Sequence, residues 1–392
     1  MLAFLGPKLL EPFLTLGREV ERGSWSVTAP DGRVFTHRGS TPGADAVFRI
    51  NDWGALTAMM LRGDLGFAET YRDGRWTTED LVSVIRFACD NEAALSRIFT
   101  GSWIQRAVSS LAYAFRANTR RGSRRNVHAH YDLGSRFYSL WLDRSMTYSA
   151  ALFRRDDEAL EAAQRNKLDA VLDRLGPRPG HVLEIGCGWG SFIERAVERD
   201  GHRCTGITIS PHQWRYAGDR LADKKSLAAV QLCDYRDVDG RFDHIVSIEM
   251  FEAVGERFWP TFFGKVAALL RPGGSAVIQT ITVRDEDFAH YRRGFDIFRS
   301  FIFPGGMLAS PAHIAALAAN AGLKVADRLS FGPDYSKTAA HWLSAFDAAR
   351  DRIAAIGFDD KFIALWRFYL ATCVAVFAAR KIDVVQFELR HA

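Results

Sequence analysis

Cysteine is scarce in this 392-residue chain. The five present, Cys89, Cys187, Cys204, Cys233 and Cys373, are odd in number, and no two stand as CxxC. That argues against a disulfide framework or a structural zinc site and fits a reducing compartment. Long uncharged apolar runs are also missing. The longest candidate, Phe362 to Ala379, carries Arg367 in mid-span and reads as a buried core helix rather than a membrane span. The opening segment MLAFLGPKLLEPFLTLGREVERG is apolar but too often interrupted for a secretory signal. Any membrane contact is therefore expected to be peripheral. Neither sign of charge dominates: 51 Lys and Arg stand against 46 Asp and Glu, a net charge of +5. This mild excess suits an anionic partner, lipid headgroup or nucleic acid, without choosing between them. His128 and His130 have no third ligand at metal spacing, so no metal centre is expected.

What is present falls into two regimes. Residues 1 to about 90 mix strand-like runs (SWSVTAP, GRVFTHR) with a helical pattern over Trp53–Arg62 and a turn-rich stretch, LGFAETYRDGRW. They predict a small α+β domain, extended to residue 115 by a connecting helix from about Glu92. No catalytic constellation stands out in it. Five arginines then fall between Arg116 and Arg125, broken by Gly122 and Ser123. Residues 116–127 read as a basic linker, either a solvated connection or a phosphate patch. No aromatic residue interleaves the arginines, which disfavours a single-strand nucleic-acid platform.

From about residue 160 helix and strand alternate. Strands are expected over His181–Ile185, His202–Ile207, Ala228–Leu232, Phe242–Ile248, Ser275–Ile281, Lys324–Phe331 and Lys381–Arg390. Helices are expected over Glu158–Leu175, Ser191–Arg199, Pro211–Ala222 and Trp259–Leu270. This spacing predicts a doubly wound parallel sheet, with the helices between Phe331 and Lys381 as a cap over the ligand face.

The first strand runs directly into a glycine loop, Glu184-x-Gly186-x-Gly188-x-Gly190. Glycine lets a ligand approach the backbone and permits a tight turn. In open α/β sheets such ligands bind where the strand order reverses. The dinucleotide pattern GxGxxG is not met. GxGxG after an acidic residue resembles the first motif of S-adenosylmethionine (SAM) dependent methyltransferases. Polar residues at the next strand ends, Thr208 and Gln213, then Asp234 and Tyr235, are further cofactor candidates.

Several stretches together resemble the cyclopropane fatty acyl phospholipid synthase family with its mycolic acid methyltransferase branch. They are HYDLGSRFYSLWLDRSMTYSAALF (130–153), LEIGCGWGSF (183–192), GITISPHQ (206–213), DYRD (234–237), MFEAVG (250–255), QTI (279–281), FIFPGG (301–306) and FGPDYSKT (331–338). The resemblance implies a class I SAM-dependent methyltransferase with a Rossmann-like doubly wound sheet over residues 128–392, carrying a lipid-binding cap. Tyr148, Ser149, Gly186, Gly188, Thr208, Gln213 and Asp234 would contact SAM. The substrate implied is the double bond of an unsaturated acyl chain on a phospholipid, met peripherally at the cytoplasmic face of a membrane. Nucleic acid is not an expected partner, and a homo-oligomer is allowed.

The implied chemistry explains the residue types. An alkene attacks the sulfonium methyl without a base and leaves a carbocation, which needs a dry site with π faces or negative groups. Phe137, Tyr138, Phe251, Phe303, Tyr335 and Tyr369 are aromatic candidates, each also a candidate for plain core. A proton must then leave. In the family a bicarbonate ion accepts it, held by residues that correspond to Glu252, Tyr335 and Ile281. Ala150 stands where the family has Cys, and Gln279 where it has His, which cannot be replaced as a titrating group by an amide. The departures predict a methyl- or methylene-branched product, such as a furan fatty acid precursor, with plain ring closure as the alternative. Glu249, three residues before Glu252, reads as a polar residue at a strand end. Two other readings share parts of the pattern: a SAM-dependent methyltransferase for a small molecule or RNA, and a lipid-binding protein without activity.

Overall fold

The computed structural model of the chain describes residues 6–99, 133–293, 302 and 305–392. The arginine-rich stretch, His128, His130, the start of the 130–153 motif and Phe303 lie outside them. The chain divides into two compact units.

One unit comprises Met1–Ala112, Arg293–Ile302 and Ala339–Lys381. Strands β1 (Arg22–Thr28), β2 (Val34–Arg38), β3 (Thr41–Ile50) and β4 (Trp76–Thr77) form a sheet in the order β2-β1-β3-β4. Helices α1 (Gly6–Gly17), α2 (Trp53–Arg72), α3 (Leu81–Asp90) and α4 (Glu92–Phe99) accompany it. The Asp52 side chain accepts from the Gly54 N–H and starts α2. The helix runs on to Arg72, past the expected end at Arg62, because the chain bends at Gly63 with φ 54° and resumes. Leu56, Trp76 and Val84 form the core with Phe368, Ala371 and Ala375. These last three belong to the helix Asp360–Ala378, the one described helix long and apolar enough to cross a membrane. It lies in this core instead, as its sequence suggested. Residues 339–381, placed by sequence in the methyltransferase domain, therefore group with the N-terminal segment.

The other unit comprises Tyr113–Arg292, Phe303–Thr338 and Ile382–Ala392. A short helix, α5 (Gly134–Tyr138), is followed by α6 (Leu160–Leu175), β5 (His181–Ile185), α7 (Ser191–Asp200), β6 (Arg203–Thr208), α8 (Pro211–Arg220), β7 (Ala228–Leu232) and β8 (Phe242–Ile248). Then come α9 (Trp259–Leu269), β9 (Leu270–Val283), α10 (Pro311–Asn320), β10 (Leu323–Ser330), the first seven residues of α11 (Gly332–Ala348), whose remainder belongs to the first unit, and β11 (Ile382–His391). The strand order is β10-β11-β9-β8-β5-β6-β7. All seven predicted strands form. One departs from the parallel expectation: β11 is antiparallel to both β9 and β10. Its run VVQFEL is buried throughout, and a continuous buried run marks an inner strand without marking its direction. One sheet face packs Phe251, Phe262 and Phe263 under α9, and the other packs Leu168, Leu172 and Phe192 under α6 and α7. β5 sits between β6 and β8, so the strand order reverses at the glycine loop.

Candidate active site

A cavity opens at the carboxyl ends of β5, β6 and β8. Of the predicted cofactor residues, Tyr148, Ser149, Glu184, Gly186, Gly188, Thr208, Gln213, Asp234 and Tyr235 line it. Gly190 does not. It takes φ 87° at the start of α7, and a Cβ there would stand 3.2 Å from Ala217 Cβ, so its bareness serves turn and packing. Gly188, with φ 52°, would meet nothing within 4 Å, which leaves its backbone open to a ligand. The Thr208 hydroxyl donates to Gln213 Oε1 at 2.8 Å, which commits the Gln213 amide nitrogen to act as a donor elsewhere. Arg236 grips both oxygens of the buried Asp234, at 2.8 and 2.6 Å.

Glu184 is fully buried, and its Oε2 has no hydrogen-bond partner among the described residues. Burial pushes its carboxyl up to about 8, and the charge of Lys167 works against that rise. A buried acceptor beside bare glycine backbone fits the ammonium or ribose hydroxyls of SAM. Tyr138, Tyr148 and Trp189 supply π faces nearby, with Tyr138 5.0 Å from Trp189 and 5.3 Å from Tyr148 between ring centroids. Three other aromatic candidates are core: Phe137 packs on Trp141, Phe251 packs on Trp259, Phe262 and Phe263, and the buried Tyr369 belongs to the first unit.

The decisive geometry lies at the end of β8. The Ala150 N–H, the Gln279 amide nitrogen and the Tyr335 hydroxyl, each 2.8 Å away, all donate to one carboxylate. It belongs to Glu249. Glu252 accepts instead from the Ile281 N–H and from the Thr280 hydroxyl (3.0 Å), and its Oε2 lacks a partner among the described residues. The five residues expected around a bicarbonate ion are thus divided. Three donors are engaged by Glu249, and the Ile281 amide by Glu252. The residues present do not fit a separate ion.

Burial raises the Glu249 carboxyl above its ordinary value, opposed by the Ala150 N–H, the Lys167 charge, Gln279 and Tyr335. Burial and the neighbouring Glu249 push Glu252 up to about 8. Lys167, fully buried on α6, is drawn down to about 8 and donates to Ser149 Oγ at 2.7 Å. Glu249 holds φ 49°, a left-handed backbone that non-glycine residues seldom adopt. Such strain is a mark of functional positions.

Sequence reasoning missed Glu249 and Lys167. The signal for Lys167 was legible: Gln164 and Lys167 interrupt the apolar stripe of α6 that Ala163, Leu168 and Val171 define.

A family model described as mycolic acid cyclopropane synthetase matches residues 118–387. Tuberculostearic acid methyltransferase UfaA1 of Mycobacterium tuberculosis is 37% identical over 340 residues, 83% of this chain and 79% of that protein. The cyclopropane-fatty-acyl-phospholipid synthase of Escherichia coli K12 is 32% identical over 349 residues, 88% of this chain and 87% of that one. The crystal structure of the mycolic acid cyclopropane synthase CmaA1, complexed with SAH and CTAB, aligns with a TM-score of 0.64 at 34% identity. It covers 68% of this chain and 97% of its own.

Proposed function

The chain belongs to the mycolic acid cyclopropane synthetase family, and from that membership we propose that it methylates the double bond of an unsaturated phospholipid acyl chain and releases a methyl- or methylene-branched product. SAM, when bound, supplies an electrophilic methyl group. The alkene takes the methyl on one carbon and leaves the cation on the next. Tyr148 and Trp189, which line the cavity, would offer it π density. The cation then loses a proton from the chain, or, after a 1,2-hydride shift, from the added methyl. Either loss makes a branched alkene.

One observation supports this reading over ring closure. Glu249 occupies the donors that a bicarbonate ion would need. The proton acceptor is then a carboxylate tethered to β8, fixed in place relative to the acyl chain. Glu252, protonated around neutral pH, is the weaker candidate. A relative named as a methyltransferase agrees with this product. Peripheral action at the cytoplasmic face of the membrane is part of the same reading.

The test is proton NMR of phospholipid acyl chains from cells that express the protein. Ring and branch both add one CH2 in mass, so mass alone does not separate them. Olefinic or methyl-branch signals are expected. A high-field cyclopropane methylene signal would refute the branched product.

A further inference from the structure

Gln279 reaches Glu249 at the end of a longer line. It sits on β9 directly opposite Gln386 of β11 in the antiparallel register. Both side chains are fully buried. Gln386 Nε2 donates to Gln279 Oε1 at 3.0 Å, and Gln279 Nε2 donates to Glu249 Oε1 at 2.8 Å. At the other end Arg174 Nη1 donates to Gln386 Oε1 at 3.4 Å. A guanidinium can only donate, and an ionised carboxylate can only accept. The two amides between them therefore have one allowed orientation. The carbonyl of Lys167 accepts from Gln386 Nε2 at 3.3 Å and sets the same orientation independently.

We propose that Gln386 and Arg174 are positioning residues for the proton acceptor, holding Gln279 with its NH2 toward Glu249 and so favouring the ionised, accepting form of that carboxylate. This rests on the reading of Glu249 as the base. The dipoles of both amides align from the cation of Arg174 to the anion of Glu249, and aligned hydrogen bonds strengthen one another in a buried site. If Gln279 turned over, its carbonyl would face the carboxylate, and only a protonated Glu249 could tolerate that. The other charged or titratable groups around Glu249 are Lys167, Glu252 and Tyr335. Asp327 shares Arg174 at the outer end, at 2.9 Å.

The experiment follows methyl transfer from labelled SAM to vesicles of dioleoyl phospholipid across pH. It compares wild type with Gln386→Met, Gln386→Glu and Arg174→Met. A base is active above its pKa, so activity falls on the acid side. Loss of the line destabilises the anion, and the acid limb of kcat should move up by about one pH unit in Gln386→Met, a tenfold loss at the foot of the limb. Gln386→Glu, which cannot donate to Gln279 while ionised, should move it further. Arg174→Met should move it less, with Arg174→Lys restoring the wild-type limb. SAM affinity should stay at the wild-type value in each. Acid limbs at the wild-type position in Gln386→Met and Arg174→Met proteins that still bind SAM would overturn the proposal. If the Gln386 variants do not fold, the Arg174 pair decides it. Turnover surviving in Glu249→Gln would instead overturn the choice of base, an outcome distinct from an unmoved limb.

Discussion

Replacing Glu249 by glycine separates a tethered base from a bound ion. The backbone should accept the change, because φ 49° suits glycine and the left-handed conformation costs another residue about 1 kcal/mol. The substitution removes a fully buried carboxyl but leaves three buried donors without their acceptor, so the melting temperature should fall modestly and recover when an anion fills the space. Chemistry should suffer. Loss of a positioned base costs on the order of 10²- to 10⁴-fold in kcat, about 3–5 kcal/mol of barrier. The three donors, Ala150 N–H, Gln279 amide and Tyr335 hydroxyl, would then face a space the size of the lost carboxylate. Formate or bicarbonate in the buffer should enter it and restore turnover in a saturable way, while neither ion alters the wild-type rate. The assay is SAH release in bicarbonate-stripped buffer, with vesicles as substrate and the anion titrated in. A Glu249→Gly protein that turns over within a few-fold of wild type without added anion refutes the role of Glu249. A wild-type rate that collapses when bicarbonate is stripped refutes it as well.

Two further outcomes are expected. Gly186→Ala forces a Cβ to 2.7 Å from Met250 Cγ at φ 84°, so SAM affinity measured by calorimetry should drop by about tenfold or more, given strain of about 1–3 kcal/mol. Stability should also depend on pH through Glu252, whose carboxyl is raised from 4.5 to about 8 in the folded chain. Between those values the folded state holds a proton that the unfolded state has released, so stability falls as pH rises, by up to about 1.4 kcal/mol per unit. Urea unfolding of the ligand-free protein from pH 5 to pH 8 should show this slope, to which Glu184, likewise raised to about 8, adds its own, and Glu252→Gln should make it shallower without abolishing it. An equal slope in the variant would mean the folded Glu252 is not protonated.

The fold of the second unit was legible because its signals are local. Each strand from β5 to β8 is a short run, the apolar stretch of β9 follows the RPGG that ends α9, and a cap such as Ser210 marks where a helix begins. What local pattern could not carry was long-range. The direction of β11 depends on which strands it is inserted between. The grouping of residues 339–381 with the N-terminal unit depends on packing of Phe368, Ala371 and Ala375, which the sequence marks only as apolar.

The site divides in the same way. The cofactor side was readable, since bare glycines and polar strand ends adjoin in sequence. The acid–base side was readable at Gln279 but for a different reason than its inability to titrate. An amide offers a fixed donor, and a fixed donor is useful only if something permanently accepts from it. Glu249 is that acceptor, and Gln386, directly across the β9–β11 ladder, sets the polarity of the pair. Glutamine at 279, glutamate at 249 and glutamine at 386 therefore make chemical sense only together. A neutral histidine at 279 could also donate to Glu249 and accept through its other ring nitrogen, but once protonated it would have only donors to present. The amide keeps both its donor and its acceptor at every pH at which the protein is folded, which leaves Glu249 as the group whose charge changes when a proton arrives.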